Sequence, residues 1–374
     1  MLWEDFRNVA FRQRDTEARK RTIPSREKIA AEWEAAKRLR RENHAVDPAD
    51  CVDIAFIGVW DTVSAIATPF DELREFIGRY IWPIWFADNT LGPEVKRACH
   101  ALALDEQRRT FHPELWNEKN GEDTRIKQVW FAGVHSNVGG GYPKQGMSLV
   151  TLDWMMNEAS QAGLRFIRKD LDFVREHQDV HDKMYDSRAG VAVYYRWSPR
   201  DLSELCVEHK IPAPKIHISL FERIANGTFG VNGIDSYSPG NIPYNFEIDT
   251  GGSIEWPASQ VVAGIQPLVK AGGTGSKPSL LAEMDKEVRS GKRSHTVFLA
   301  VTLLTLLIVA SVGARALCGC ASCIDLLLLL GAMVLFFLGG LVVHSWANGV
   351  DLKLCRKYTD FWHKRRRPLR MLLP

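Results

Sequence analysis

The sequence predicts an α/β protein with a mostly parallel sheet, followed by a C-terminal hairpin of two membrane-crossing helices. Three observations carry this. Two short apolar runs, Asp53-Ile-Ala-Phe-Ile-Gly-Val-Trp60 and Gln128-Val-Trp-Phe-Ala-Gly-Val134, hold β-branched and aromatic residues in the pattern of strands covered on both faces. Each ends on a residue able to do acid–base chemistry, Asp61 and His135. Two runs without Asp, Glu, Lys or Arg, Val297–Ala314 and Leu326–Trp346, are each long enough to cross a bilayer as a helix.

The rest of the composition narrows the class. A chain of 374 residues can bury a large core, and a formal charge of +3 with interleaved acids and bases gives no footprint for nucleic acid. The seven cysteines are not spaced as a disulfide framework, and Cys51, Cys99 and Cys206 read as buried or free thiols of a reducing compartment. Residues 1–50 are a charged region of helical composition without the apolar core of a signal peptide. Within it, Ile29, Ala30, Trp33, Ala36 and Leu39 recur at helical spacing and give one apolar face.

The domain with the two strands is placed at 51–250. Residues 64–93, with Pro69, Pro83, Pro93 and several aromatics, read as a cap or substrate-facing insertion. Lys96 to Arg109 has the composition of a helix, Phe111 to Asn117 that of an aromatic turn, and Glu118 to Thr124 that of a polar loop. Gly139, Gly140 and Gly141 break the second strand sharply, and Leu149 to Gly163 predicts an apolar helix stopped by Gly163. Residues 165–250 are less regular. Glycine-rich residues 251–293 form a linker, with its break near 270–280, before the hairpin at 294–346 and a basic tail at 347–374.

An aspartate just past a strand is either a helix N-cap or a carboxylate held for catalysis, and a histidine before a loop is often only a core residue. Together at two strand ends, Asp61 and His135 match the acid and base of a Ser-Asp-His arrangement, in the order an α/β-hydrolase uses. The sequence contains no Gly-x-Ser-x-Gly turn. Ser64 and Ser136 lie near the two residues, but a hydrogen-bonding role explains each more simply. A metal centre on His135, His100 and nearby carboxylates lacks His-x-x-x-His or comparable spacing, and no cofactor motif is present.

Phe56-Ile-Gly-Val-Trp-Asp61-Thr-Val, His100-Ala-Leu-Ala-Leu-Asp-Glu-Gln-Arg108 and Gln128 to Tyr142 resemble the bacterial domain-of-unknown-function 2235 family. That family includes the catalytic domain of type VI secretion phospholipase effectors of the first lipase class. Asp186-Ser-Arg-Ala-Gly190, Ile216-His-Ile-Ser219 and Tyr237-Ser-Pro239 look like its later segments. The resemblance covers about residues 50–245. It implies a three-layer α/β-hydrolase-like fold and esterase or phospholipase chemistry on a phospholipid or other ester, with Asp61 as triad acid and His135 as base. It also implies an N-terminally truncated catalytic domain, because the family's Asp-Gly-Thr strand end and nucleophile turn would precede Met1. A separate chain supplying the nucleophile half, or an inactive membrane-tethered binding or regulatory remnant, are the readings that follow. Asn137 stands where the family usually has an aspartate.

Basic residues flank the hairpin on both sides: Lys286, Arg289, Lys292 and Arg293 before it, and Lys353, Arg356, Lys357, Lys364 to Arg367 and Arg370 after it. By the positive-inside rule both termini and the domain then lie in the cytoplasm, with two spans in the inner membrane. Cys318, Cys320 and Cys323 crowd the loop between the spans, as packable residues or a disulfide rather than a metal site.

Overall fold

The computed structural model describes residues 53–63, 89–189, 192, 195–231, 233, 235–253, 258–270, 279–319 and 322–373. The expected helix at 1–50 and the proline-rich insertion up to residue 88 lie outside them, as does Ser64. The described residues fall in one compact unit made of Val52–Arg74 and Asn89–Pro374.

Five parallel strands form the sheet in chain order: β1 (Ile57–Trp60), β2 (Ala98–Ala103), β3 (Ile126–Phe131), β4 (Lys215–His217) and β5 (Glu247–Asp249). β1 and β3 are the two runs the sequence marks as strands. β1 is only half-buried, because it pairs on one side alone among the described residues. β2 corrects the helix expected over Lys96 to Arg109. Ala98-Cys-His-Ala-Leu-Ala103 is buried at all six positions. Burial on both faces overrides the helix propensity of alanine and leucine, and small side chains suit a central strand with helices on either side.

Eight α-helices are described: α1 (His135–Gly139), α2 (Gly146–Gln161), α3 (Arg168–His177), α4 (Leu202–Glu208), α5 (Ile218–Ala225), α6 (Ala258–Lys270), α7 (Ser279–Leu317) and α8 (Cys323–Leu372). α2 is the apolar helix expected before Gly163, whose φ of 96° ends it. The alternation of the strands sorts the core into two layers. Cys99, Ala101, Ala103, Val129 and Phe131 pack with Val150, Trp154 and Met155 of α2. On the other face Leu102, Trp130 and Ile216 join Leu220, Phe221 and Ile224 of α5, Ile265 and Val269 of α6, and Tyr358, Trp362 and Leu369 of α8.

α7 and α8 are the hairpin. Glu287–Leu317 and Cys323–Val343, with mean hydropathy 2.5 and 2.8, are long and apolar enough to cross a membrane, and only 6% and 11% of their apolar windows are buried. The two helices approach through small residues. Thr305 Oγ1 donates to the carbonyl of Ala332 at 3.3 Å, and a Cβ on Gly339 would meet Phe298 at 3.3 Å.

Beyond the second candidate span α8 continues as helix to Leu372, so residues 347–372 of the expected basic tail are helical. Their apolar side joins the core, and their polar groups bond the domain. Trp362 Nε1 donates to Pro239 O at 2.8 Å, Arg365 Nε to Leu268 O at 2.7 Å, and Arg370 Nε to Ala225 O at 2.8 Å. Gly240 has no side chain where the Tyr358 ring lies, and a Cβ there would overlap it.

Candidate active site

Three adjacent parallel strands each deliver polar residues at their C-terminal ends, where open α/β sheets place their chemistry. Asp61 follows β1, Asp105 and Glu106 follow β2, and His135 follows β3 to open α1. The two sequence-predicted residues meet: His135 Nδ1 lies 2.7 Å from Asp61 Oδ2. Asp61 is fully buried, whereas the His135 side chain keeps 29% of its surface exposed. An ionised Asp61 can only accept, so Nδ1 carries the proton and the lone pair falls on Nε2. Among the described residues no serine or cysteine is bonded to Nε2, and Ser136, on α1 beside His135, is half-buried.

The surroundings fix Asp61 further. Its backbone has φ of 42°, a left-handed conformation that aspartate tolerates better than most residues. Ala103 N donates to Oδ1 at 2.9 Å. Arg200, fully buried, donates to both oxygens, Nη1 to Oδ1 at 2.6 Å and Nη2 to Oδ2 at 2.9 Å. Burial acts to raise the Asp61 carboxyl pKa, but the Arg200 guanidinium and the His135 bond outweigh it and hold it well below the usual carboxylate range. Arg200 also donates to the carbonyls of Ala103 and Phe111.

A second buried carboxylate supports the histidine's backbone. Glu106 takes a two-pronged bond from Arg108 at 2.8 Å on each oxygen, a hydroxyl from Ser187 at 3.0 Å, and the backbone N–H of His135 at 3.2 Å. Burial pushes the Glu106 pKa up, and Arg108 reverses that to a net lowering. Asp105 Oδ2 accepts from Gly133 N at 2.6 Å and from the Tyr237 hydroxyl at 2.9 Å. Gly133 is required twice over. Its φ is 115°, and a Cβ would come 2.5 Å from Asn137 Cβ. Phe111 meets His135 edge-on at 5.2 Å, Tyr195 meets Phe111 at 5.5 Å, and Arg108 stacks on Phe111 at 3.5 Å. These form the rim beside His135.

Asn137 is buried and uses both ends of its amide. Nδ2 donates to Lys183 O at 3.1 Å, while Oδ1 accepts from Tyr185 N at 3.3 Å. An ionised aspartate has no hydrogen for the Lys183 carbonyl. His100, weighed as a metal ligand, instead accepts from Thr62 N at 3.0 Å, and burial lowers its pKa to about 4. No cluster of three or more His, Cys, Asp or Glu that could hold a metal occurs among the described residues.

Sequence reasoning missed Arg200 as a site residue, since a lone arginine in an irregular stretch carries no motif. Glu106, Arg108, Ser187 and Tyr237 lay inside quoted motifs without an assigned part. Comparison with known proteins leaves most of the chain unmatched: no curated protein and no solved structure matches it. Residues 1–158, which carry both Asp61 and His135, match the family described as T6SS, Phospholipase effector Tle1-like, catalytic domain, the lipase-effector domain that the motifs resemble.

Proposed function

We propose that the domain is the acid–base part of a serine-type ester hydrolase of the lipase-effector kind, carried on a membrane hairpin. The observation that bears most weight is the 2.7 Å contact between a partly exposed imidazole and a fully buried carboxylate at the ends of β3 and β1, the strands on either side of β2. His135 Nε2 would take the proton of an attacking hydroxyl and return it to the leaving alkoxide, while Asp61 holds the ring and its tautomer. The family match supports an ester of the phospholipid type as substrate. Neither Ser64 nor Ser136 stands in a Gly-x-Ser-x-Gly sequence, so on this reading the nucleophile comes from elsewhere and the purified chain alone is silent.

The absence of Gly-x-Ser-x-Gly from the sequence favours a second reading, a binding or regulatory domain without turnover. Ester hydrolysis measured in native membranes and with the purified chain separates these. Turnover present in membranes, lost in His135→Ala and Asp61→Asn and absent from the purified chain supports the proposal. Turnover by the purified chain that disappears in Ser64→Ala or Ser136→Ala overturns the missing nucleophile. Absence of His135-dependent turnover in both preparations favours the binding domain. We place both flanks of the hairpin in the cytoplasm by their Lys and Arg content. Digestion of the domain by protease added to intact spheroplasts would overturn that orientation.

A further inference from the structure

The hairpin and the candidate site meet through one short segment. Trp346, three residues past the second span, stacks edge-on against the buried Trp197 with ring centroids 6.2 Å apart. A Cβ on Gly291 of α7 would lie 2.6 Å from the same Trp346 ring, so both hairpin helices converge there. Trp197 lies two residues from Tyr195 of the rim and three from Arg200, which clamps Asp61. The segment is tied to the chain that follows β2: Arg109 N donates to Arg196 O at 2.9 Å, and Ser198 N to Gln107 O at 2.7 Å. α8 meanwhile runs as helix from the span to its buried anchor at Trp362, and its proline, Pro368, comes only after that anchor. An unbroken helix with its end in the core leaves little freedom between span and domain.

We propose that α8 is a rigid mount which seats the His135 rim on the surface of the bilayer holding the protein's own hairpin. Trp346 lies at the depth where tryptophan favours the membrane–water boundary, and Trp197 passes that position on to the rim. The opposite ends of the strands, near Glu122, then face away from the lipid, about 20 Å further along the sheet axis. Resting on the hydrolase reading, the substrate is an ester resident in that same membrane, entering sideways from the leaflet and not from the aqueous phase.

The placement is testable without any turnover. In the full chain, with Cys51, Cys318, Cys320, Cys323 and Cys355 changed to serine, a single fluorophore is attached at Arg109→Cys or at Glu122→Cys, both exposed positions on folded segments. Each protein is reconstituted into phosphatidylcholine–phosphatidylglycerol vesicles containing a lipid with a nitroxide on its headgroup. The proposal expects quenching severalfold stronger at 109 than at 122, with matching circular dichroism. Equal quenching, or stronger quenching at 122, overturns it. Native membrane vesicles that contain the chain, where turnover is expected, are then loaded with a fluorogenic lipid ester and mixed with protein-free vesicles carrying a distinguishable one, and hydrolysis is scored as the part lost in His135→Ala. Hydrolysis confined to the host vesicles supports entry from the same membrane, and equal hydrolysis of both populations overturns that part. Absence of hydrolysis in either, with the quenching pattern intact, counts against the Asp61–His135 chemistry and leaves the mount standing.

Discussion

Replacing Arg200 with methionine removes the guanidinium from a carboxylate that has no access to water. Both partners are fully buried, and two charge-assisted bonds of 2.6 and 2.9 Å join them. Breaking a buried pair by deleting one partner costs roughly 3–5 kcal/mol, because the remaining charge is left without compensation. Asp61 would keep its bonds from Ala103 N and His135, so the loss should fall near the lower end, about 3 kcal/mol. The pH dependence has a definite sign. With Arg200 present, the folded pKa of Asp61 lies below its unfolded value, near 3.9 for an aspartate. Its ionisation therefore stabilises the fold above about pH 4, and that contribution fades as pH drops towards the folded pKa. Without Arg200, burial becomes the dominant influence and the folded pKa moves above the unfolded one. The ionised form then destabilises the fold, most at neutral pH, with relief on acidification. The gap between wild type and Arg200→Met should thus be widest at pH 7 and narrow towards pH 4. Urea unfolding of the detergent-solubilised full chain, followed by tryptophan fluorescence at both pH values, measures it. Asp61→Asn and the double variant close a cycle that isolates the pair. A loss below about 1 kcal/mol, or one that ignores pH, would refute the reasoning.

Three further outcomes are expected. Trp362→Ala should cost roughly 3–5 kcal/mol in the same unfolding assay, since it empties a buried site and frees the Pro239 carbonyl; a surface-like loss would mean that the end of α8 is not docked. Gly133→Ala combines a backbone angle of 115° with a contact of 2.5 Å to Asn137, so it should destabilise by more than about 1 kcal/mol and shift the His135 imidazole signals in NMR spectra. Burial raises the Cys99 and Cys206 thiols to about 12, whereas Cys318 and Cys323 are exposed. Iodoacetamide at pH 8 should therefore modify Cys318 and Cys323 in the native protein and reach Cys99 and Cys206 only after unfolding, as read by peptide mass mapping.

The strands that end in chemistry were legible because their residues are extreme. Val129, Trp130 and Phe131 have one comfortable environment, a strand buried on both faces, but the strand stops at Phe131, and the glycines after His135 close the short helix α1 and not the strand. β2 was not legible, because Ala98 to Ala103 is small enough for either a helix or a crowded central strand, and only the neighbouring strands decide. β4 and β5 hold three residues each, too few to show a period. Asp61 and His135 could be paired from sequence because each ends a recognisable strand. Arg200 could not, since its partner lies 139 positions away and the fold alone brings them together. The basic C-terminal residues read from sequence as a tail that sets topology, and composition does not show that Arg365 and Arg370 spend donors on backbone carbonyls at helix ends.

The arginine changes what the aspartate can contribute. A carboxylate behind a catalytic histidine normally both orients the ring and stabilises the imidazolium that forms. Here the guanidinium bonds both Asp61 oxygens, so the charge His135 sees is largely spent. What remains undiminished is geometry. Oδ2 sits 2.7 Å from Nδ1, and the ionised state is secure across the physiological range, so the tautomer with a free Nε2 is fixed. Orientation of that kind is worth having only if the carboxylate itself cannot move. The left-handed backbone at Asp61, a strain of about 1–3 kcal/mol for ordinary residues, is tolerable because Ala103 and Arg200 hold the side chain from two sides. Arg200 is in turn three residues from Trp197, whose ring rests on the base of the hairpin. The strand ends bring acid and base together, and it is the arginine, three residues from the Trp197 contact with α8, that keeps them aligned.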